Sequence, residues 1–199
     1  MKIIGVGKNY GENSNEKPIE PIIFTKPDTA IIRNNQDFYF PSFSKAINYE
    51  VEIVVKIDRE GKNIAEKFAH KYYQEIGLGI DFTAKDLIEK YKSQGLPWDL
   101  AKGFNGSAPI SDFVHKTNFE NLNHIPFSLK QNGVLKQTGN TKDMFYNIDS
   151  LIAFVSQYFT LKKGDLLFTG TPAGIGEIAI NDHLEAYIED KKMLDVHVK

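Results

Sequence analysis

Short strand-like segments fill both ends of the chain, and helix-like segments interrupt them. The predicted strands cover residues 2–6, 21–26, 30–32, 37–40, 48–57, 127–131, 134–137, 165–169, 184–188 and 195–199. The predicted helices cover residues 64–75, 84–94 and 148–159. Because the two kinds of element do not alternate regularly as in βαβ units, we expect an α+β fold with a rolled or barrel-like sheet.

The segment 48–57 is the clearest strand, because its hydrophobic residues recur at every second position. The residues expected to share its apolar face are Tyr49, Val51, Ile53 and Val55. The dipeptide Asn132-Gly133 lies between two further strand-like segments and predicts a two-residue hairpin turn.

Capping residues mark the ends of the predicted helices. Asn63 with Glu66 resembles a capping box at the start of the first helix. The corresponding signals for the other two helices are Thr83 with Asp86, the stop residue Gly95, and Asn147.

The charge and the cysteine count exclude several classes of protein. The chain has 24 Lys and Arg against 26 Asp and Glu, a net charge of −2, so no basic surface for nucleic acid is expected. The absence of cysteine excludes a disulfide scaffold, a zinc finger, an iron–sulfur cluster and a thiol nucleophile. With five histidines and no HExxH pair, we expect a bound metal to have mostly oxygen ligands, which favours Mg²⁺, Mn²⁺ or Ca²⁺.

The length of 199 residues suits one domain, expected to span residues 1–199. No apolar run approaches the roughly 18 residues of a membrane span. The first residues turn polar too soon for a secretory signal. We therefore expect a cytoplasmic protein that binds neither membrane nor nucleic acid.

Three acidic residues are candidate metal ligands. Glu50 and Glu52 stand two positions apart on the predicted strand 48–57, so their side chains share one face. Two carboxylates so close repel each other unless a cation lies between them. Asp81 follows an apolar, glycine-containing segment and fits a third ligand at a strand end. The alternatives are a solvated strand face for the glutamates and an ordinary turn acid for Asp81.

Three other segments carry candidate chemistry. Lys102 lies in an apolar stretch with the only tryptophan and could stabilise a developing oxyanion, or it could be a surface lysine. The glycine- and threonine-rich segment 164–176 could hold an anion with backbone N–H groups, or form a plain turn. The polar loop 7–16 could close over a site, or remain a solvent loop.

The order and spacing of these motifs resemble the fumarylacetoacetate hydrolase family, in its small single-domain branch. The matching blocks are Gly7-Lys8-Asn9-Tyr10, Phe24-Thr25-Lys26-Pro27, Tyr49-Glu50-Val51-Glu52, residues 81–86, Pro97-Trp98 with Lys102-Gly103-Phe104, Asn132-Gly133 and residues 169–176. This branch includes acylpyruvate hydrolases, oxaloacetate tautomerases and decarboxylases, and hydroxyheptadienedioate isomerases.

The resemblance implies a mixed β-roll fold, a homodimer and a role for each matching residue. Glu50, Glu52 and Asp81 would bind Mg²⁺ or a similar ion. Lys102 would contact substrate oxygens as a catalytic residue. The residues implied to bind substrate are Thr171, Gly170, Lys85 and Lys8.

The implied activity is a divalent-metal-dependent reaction of a small 2-oxo or 2,4-dioxo acid through a metal-stabilised enolate. Hydrolases of the family activate water with a histidine and a glutamate in the first loop, and these positions fall on Asn13 and Glu16. Asparagine cannot act as a general base, although Glu16 could act alone. Lys85 and Ile88 stand where relatives carry Arg and Gln. We therefore favour a tautomerase, isomerase or decarboxylase over a hydrolase, with a weakened metabolite-binding paralogue as the alternative.

Overall fold

The structure is a computed structural model that describes residues 1–11 and 14–199. Its strands are β1 (Ile3–Gly7), β2 (Ile22–Lys26), β3 (Ile31–Ile32), β4 (Ile47–Tyr49), β5 (Val51–Ile57), β6 (Tyr73–Ile80), β7 (Thr83–Ala84), β8 (Ala108–Pro109), β9 (Val114–His115), β10 (Pro126–Gln131), β11 (Val134–Asn140), β12 (Leu166–Phe168), β13 (Gly176–Ile178), β14 (His183–Ile188) and β15 (Lys191–His197). Its α-helices are α1 (Glu66–Ala69), α2 (Lys85–Gln94), α3 (Asp99–Lys102) and α4 (Ile148–Tyr158). Strands predominate and the helices are short, which confirms the predicted α+β class.

The strands form several sheets, the largest of which has six strands in the order β2-β1-β12-β5-β6-β9. In this sheet β1 and β12 run parallel, whereas the other neighbours are antiparallel. A four-stranded antiparallel sheet has the order β11-β10-β14-β15. The two smaller sheets are β13-β4-β7 and β3-β8.

The largest buried apolar cluster lies between these layers and draws on both ends of the chain. It joins Ile4 near the start to Val198 near the end, and includes residues of β5, β6, β14 and α4. The two large sheets therefore share one core, and the six-stranded sheet contributes its longest strands to it. Within residues 1–11 and 14–199, no helix has the length and apolar character needed to cross a membrane.

The predicted strand 48–57 is divided at Glu50. The chain belongs to the three-stranded sheet through β4 and enters the six-stranded sheet at Val51, the first residue of β5. The predicted apolar face is confirmed, because Tyr49, Val51, Ile53 and Val55 are all buried. Glu50 thus occupies the point where the chain passes from one sheet to another.

Two local predictions are confirmed. Asn132 and Gly133 form the turn between β10 and β11 with φ angles of 54° and 77°, the left-handed pair that this hairpin turn requires. Asn147 caps α4 by accepting a hydrogen bond from the Ser150 N–H at 2.9 Å. In the turn, Asn132 and Gly133 are residues that tolerate a positive φ, and in the cap the Asn147 side chain supplies an acceptor for a free backbone N–H.

The helix predicted over residues 64–75 is wrong in extent. It is reduced to α1, and from Tyr73 the chain pairs with β5 as the buried strand β6. Asn63 adopts a φ of 52° and does not cap α1. The apolar residues of the segment are buried by pairing in the sheet, and this tertiary burial outweighs the local helix signal.

Two other details differ from the predictions. The second predicted helix is confirmed as α2 and ends at Gly95, which has a φ of 66°, but Thr83 and Asp86 do not form its capping box. The Thr83 hydroxyl donates to Glu50, and Asp86 accepts from Ser44 instead. The strand predicted over residues 37–40 is wrong, since a single bridge from Phe38 to Val198 replaces it.

Candidate active site

A cleft of about 1050 Å³ opens between the first loop, one face of α2 and the loop after β12. The predicted site residues that line it are Lys8, Glu16, Glu50, Lys85, Lys102 and Thr171. Glu52, Asp81 and Gly170 are buried and do not line it. Asn13 lies outside the described residues. The structure therefore gathers residues from distant segments around one cavity and its floor.

The register of the six-stranded sheet brings the three acidic residues together. Val51 pairs with Ile80, so the start of β5 lies beside the end of β6. The Asp81 N–H donates to the Glu50 carbonyl oxygen at 2.8 Å. As a result, one carboxylate oxygen each from Glu50, Glu52 and Asp81 lies within 4.8 Å of the others.

Two buried lysines balance this charge. The Lys102 Nζ lies 3.0 Å from Glu50 Oε1 and 2.6 Å from Asp81 Oδ2. The Lys26 Nζ lies 2.7 Å from Asp81 Oδ1. Counted as fully ionised, three carboxylates and two ammonium groups carry a formal net charge of −1, in a largely buried region where unpaired charges are costly.

The role of Lys26 was not predicted, although Lys26 lies in one of the blocks that carry the resemblance. Besides its ion pair with Asp81, its ammonium group shares its three N–H donors among the carbonyl oxygens of Phe82, Ser107 and Lys102 and the Ser107 hydroxyl. It thereby joins the end of β2 to the segments that hold Asp81 and Lys102. Its position in the apolar segment 22–26, directly before Pro27, was the only sequence signal of burial.

Neighbouring groups fix two of the carboxylates. The Thr83 hydroxyl donates to Glu50 Oε1 at 2.7 Å, and the Gly170 N–H donates to Glu52 Oε2 at 2.7 Å. Gly170 has a φ of 97°, and a Cβ atom there would lie 2.8 Å from the Asn9 Cβ. The Gly170 N–H therefore orients Glu52, and the substrate-binding role of Gly170 stays a prediction.

Burial and charge shift the ionisation of the cluster. Burial, together with the charges of Asp81 and Glu50, raises the pKa of Glu52 well above its usual range, although Lys102 and the Gly170 N–H act against this. Burial alone would lower the pKa of Lys102, but Asp81 and Glu50 raise it above its ordinary value. A further positive charge would therefore favour the ionised form of Glu52.

The residues present fit a hard divalent cation. All three acidic side chains offer oxygen, the ligand that Mg²⁺, Mn²⁺ and Ca²⁺ prefer. Asp81 Oδ1 is buried and lies close to Lys26, yet it has no partner with hydrogen-bond geometry in the described part of the chain. Glu50 reaches the cleft, so a cation held by these residues would be accessible to a small molecule there.

Thr171 is held by Gln137, a buried residue of β11 that sequence reasoning missed. The Thr171 hydroxyl donates to the Val51 carbonyl oxygen and accepts from Gln137 Nε2, both at 2.9 Å. Gln137 Oε1 accepts from the Val51 N–H, and its Nε2 also donates to the Pro172 carbonyl oxygen. Because the single hydroxyl proton of Thr171 is engaged, a substrate carboxylate would need other donors.

The remaining lysines differ in their availability. Lys85 lines the cleft, but its Nζ forms an ion pair with Glu177 at 2.7 Å. Lys8 follows β1 with a φ of 55° and lines the cleft as well. Ile88 and Lys92 lie one and two turns after Lys85 on the same side of α2 and also line the cleft. Lys92 was not predicted, because a lysine on an exposed helix gives no sequence signal by itself.

Comparison with known proteins agrees with this architecture. The family described as "Fumarylacetoacetate (FAA) hydrolase C-terminal" matches residues 2–199. Mitochondrial oxaloacetate tautomerase FAHD1 of Mus musculus is 38% identical over 201 residues, covering 99% of this chain and 91% of the relative. Oxaloacetate tautomerase YcgM of Escherichia coli K12 is 37% identical over 188 residues, covering 92% of this chain and 86% of the relative.

A solved structure shares the whole fold. Fumarylpyruvate hydrolase from Pseudomonas aeruginosa, crystallised in complex with Mn²⁺ and pyruvate, superposes with a TM-score of 0.92 and 27% identity. The match covers 100% of this chain and 89% of that one. The predicted mixed β-roll is therefore confirmed, and the chain belongs to the fumarylacetoacetate hydrolase family of enzymes.

Proposed function

We propose that this protein is a divalent-metal-dependent enzyme that converts a small 2-oxo acid through an enolate, as a tautomerase, isomerase or decarboxylase. The observation that carries the proposal is the cluster of Glu50, which lines the cleft, with the buried Glu52 and Asp81 behind it and Lys102 beside it. The names of the two tautomerases and of the pyruvate-bound hydrolase support a 2-oxo acid as substrate.

The charge of the site suits such a substrate. Glu50, Glu52 and Asp81 would hold Mg²⁺ or Mn²⁺, which supplies Lewis acidity toward a 2-oxo group when bound. With the cation, the net charge of the cluster and its two lysines changes from −1 to +1. A carboxylate is then attracted to the site, and the Lys102 ammonium group can donate to the oxygen that becomes negative in the enolate.

Glu16 is the residue that we assign to proton transfer. It ends the 3₁₀ turn Ser14–Glu16 at the end of the first loop, and it lines the same cleft as Lys102. Ketonisation of an enol removes the proton of the enol hydroxyl and adds a proton to the far carbon of the C=C bond, and a carboxylate can carry that proton. No water molecule has to be activated for this step.

Asn13 supports the preference for a reaction without attacking water. It stands where the resembling hydrolases carry the histidine that activates water, and it cannot accept a proton at neutral pH. General-base catalysis typically contributes about 10²–10⁴-fold to a rate. We therefore expect ketonisation of enol-oxaloacetate to be much faster than cleavage of acetylpyruvate.

The test compares both reactions in MgCl₂ and in EDTA. We expect enzymatic ketonisation in Mg²⁺, its loss in EDTA, and at least about a tenfold loss in Glu52→Gln, because one ligand carboxylate is removed. Glu75→Gln is the matched control, since Glu75 forms a half-exposed ion pair with Lys56 on the same sheet. Ketonisation that is equally fast in EDTA would contradict the proposal.

Asn13→His distinguishes the alternatives. A new acetylpyruvate cleavage activity in this variant would support the assignment of Asn13 to the position of the missing base. Fast cleavage by the native chain would contradict the preference against hydrolysis. Binding of pyruvate or oxalate in Mg²⁺ by calorimetry, with no turnover of any 2-oxo acid, would identify the weakened paralogue instead.

A further inference from the structure

A second group of metal-ligating side chains lies on the outer face of the four-stranded sheet. In the pairing of β14 with β15, His183 stands opposite His197 and Glu185 opposite Asp195. The alternate residues of these strands, such as Leu184 and Val196, are buried. The strand period therefore places both histidines and the aspartate on one accessible face.

The side chains of this group, the histidine patch of His183, Asp195 and His197, already converge. The His183 Nε2 lies 2.6 Å from Asp195 Oδ1, and the His197 Nε2 lies 3.8 Å from the same oxygen. The two imidazole rings stack with centroids 4.3 Å apart and an angle of 8°. One potential ligand atom from each residue lies within 4.8 Å of the others.

The backbone around the histidine patch is held from several sides. The His183 N–H donates to Asn132 Oδ1, and its carbonyl oxygen accepts from the Asn132 N–H. The His197 carbonyl oxygen accepts from the Phe38 N–H at 2.8 Å. Both histidines are therefore anchored in the ladder, so only side-chain rotations are needed to aim them at a common point.

We propose that the histidine patch binds one zinc-like divalent transition metal ion, such as Zn²⁺, Cu²⁺ or Ni²⁺, through two imidazole nitrogens and one carboxylate oxygen. Imidazole nitrogen binds these ions more tightly than it binds Mg²⁺ or Ca²⁺. The site is separate from the acidic cluster, which lies on the six-stranded sheet and offers oxygen ligands. The partial exposure of the patch lets water complete the coordination.

Lys192 competes with a metal for Asp195. Its Nζ lies 2.6 Å from Asp195 Oδ2 and 3.1 Å from Glu185 Oε1. Binding of the metal therefore requires Asp195 to share its charge between the ion and Lys192. Lys192→Ala removes this competitor, and we expect it to strengthen metal binding severalfold while His183→Gln and His197→Gln weaken it.

The first test titrates the full chain with ZnCl₂ by calorimetry in the presence of excess MgCl₂. We expect one zinc ion to bind per chain, and its affinity to fall at least about tenfold in His197→Gln. His124→Gln is the matched control, because His124 is exposed and belongs to no metal-ligating group among the described residues. Equal zinc binding by the native chain and His183→Gln/His197→Gln would overturn the proposal.

A spectroscopic test identifies the ligands independently of catalysis. Cu²⁺ bound at the histidine patch should show hyperfine coupling to two imidazole nitrogens in its electron paramagnetic resonance spectrum. Copper that bound only to the acidic cluster would lack this coupling, and that result would contradict the proposal. Neither result depends on whether Glu50, Glu52 and Asp81 support turnover.

A third readout is thermal stability, because the metal would link the last two strands. Zinc at about 100 times its dissociation constant should raise the midpoint of thermal unfolding by about 5–10 °C. The shift should vanish in His183→Gln but persist in His124→Gln. A persistent shift in both variants would place the zinc elsewhere and refute the assignment.

Discussion

The acidic cluster and the histidine patch each contain three metal-ligating side chains, but they occupy opposite environments. The side chains of Asp81 and Lys26 are each 1% exposed, whereas those of His183 and His197 are 31% and 51% exposed. In the acidic cluster charges are compensated within the protein, and two lysines accompany the three carboxylates. At the surface, water and salt screen the same kind of pair. We therefore expect the loss of one charge in the acidic cluster to destabilise the fold strongly, whereas loss of a side chain of the histidine patch should change the folding stability little.

Lys26→Met should show the largest difference between the two regions. The substitution removes the partner of Asp81 Oδ1, leaves only Lys102 on Oδ2, and should lower the free energy of unfolding by about 3–5 kcal/mol. Urea denaturation measures the effect. Lys56→Met is the control, because its ion pair with Glu75 is more than a third exposed and should contribute less than about 1 kcal/mol. Similar losses in both variants would show that burial does not distinguish these pairs.

Gly170→Ala should separate backbone strain from crowding at the acidic cluster. Gly164 and Gly170 have φ angles of 89° and 97°, but only Gly170 has neighbours within 4 Å of an added Cβ. Gly164→Ala should cost about 1–2 kcal/mol from φ alone. Gly170→Ala should cost about 1–3 kcal/mol more, because the added Cβ would lie 2.8 Å from the Asn9 Cβ and 3.1 Å from the Val6 carbonyl oxygen, so the backbone must shift. Equal losses on urea denaturation would contradict the role of the close contact.

Lys92→Met tests a lysine of α2 that lines the same cleft as Glu50 and Lys102. Partial burial and the charge of Lys102 lower the pKa of Lys92. If Lys92 attracts the second carboxylate of a dicarboxylic 2-oxo acid, its loss should raise KM about two- to fivefold with little change in kcat. Lys90→Met is the control, because Lys90 is exposed and does not line the cleft. A kcat effect without a KM effect would contradict a binding role.

Asp195→Asn should have the smallest effect on folding. Hydrogen bonds from Lys192 and His183 lower the pKa of Asp195, although its partial burial acts in the opposite direction. Because the group is accessible to solvent, we expect a loss of less than about 1 kcal/mol without metal. Urea denaturation in EDTA measures it. A loss as large as that of Lys26→Met would show that the histidine patch is part of the folding core.

The sequence predicted features with local causes. The Asn132-Gly133 turn and the cap at Asn147 depend on a few neighbouring residues, and both are confirmed. The prediction of a helix over residues 64–75 was wrong because β6 pairs with β5, and no local sequence pattern reports on pairing between separate segments. Thr83 resembled a helix cap, but its hydroxyl donates to Glu50 across the sheet.

The candidate site shows the same contrast between features with local causes and features that depend on long-range contacts. The spacing of Glu50 and Glu52, with Asp81 at a strand end, made these residues candidate ligands, and the resemblance to the family favoured this interpretation over its alternatives. Lys26 and Gln137 could not be predicted, because their roles arise from contacts between strands distant in sequence. The catalytic and ligand roles, the homodimer and the cytoplasmic location stay predictions, and sedimentation of the purified chain would test the dimer.

The division of the strand at Glu50 restricts where the chain can tolerate insertions and deletions. Successive residues of a strand face opposite sides, so deletion of one residue between positions 50 and 57 would exchange the two faces of part of β5. Carboxylates would then point into the apolar core, and Val51 or Ile53 would replace them beneath the cleft. The tip at Asn132-Gly133 has open space around Gly133 and can lengthen. We therefore expect natural variants of this chain to differ in length at the hairpin tip and never within β5.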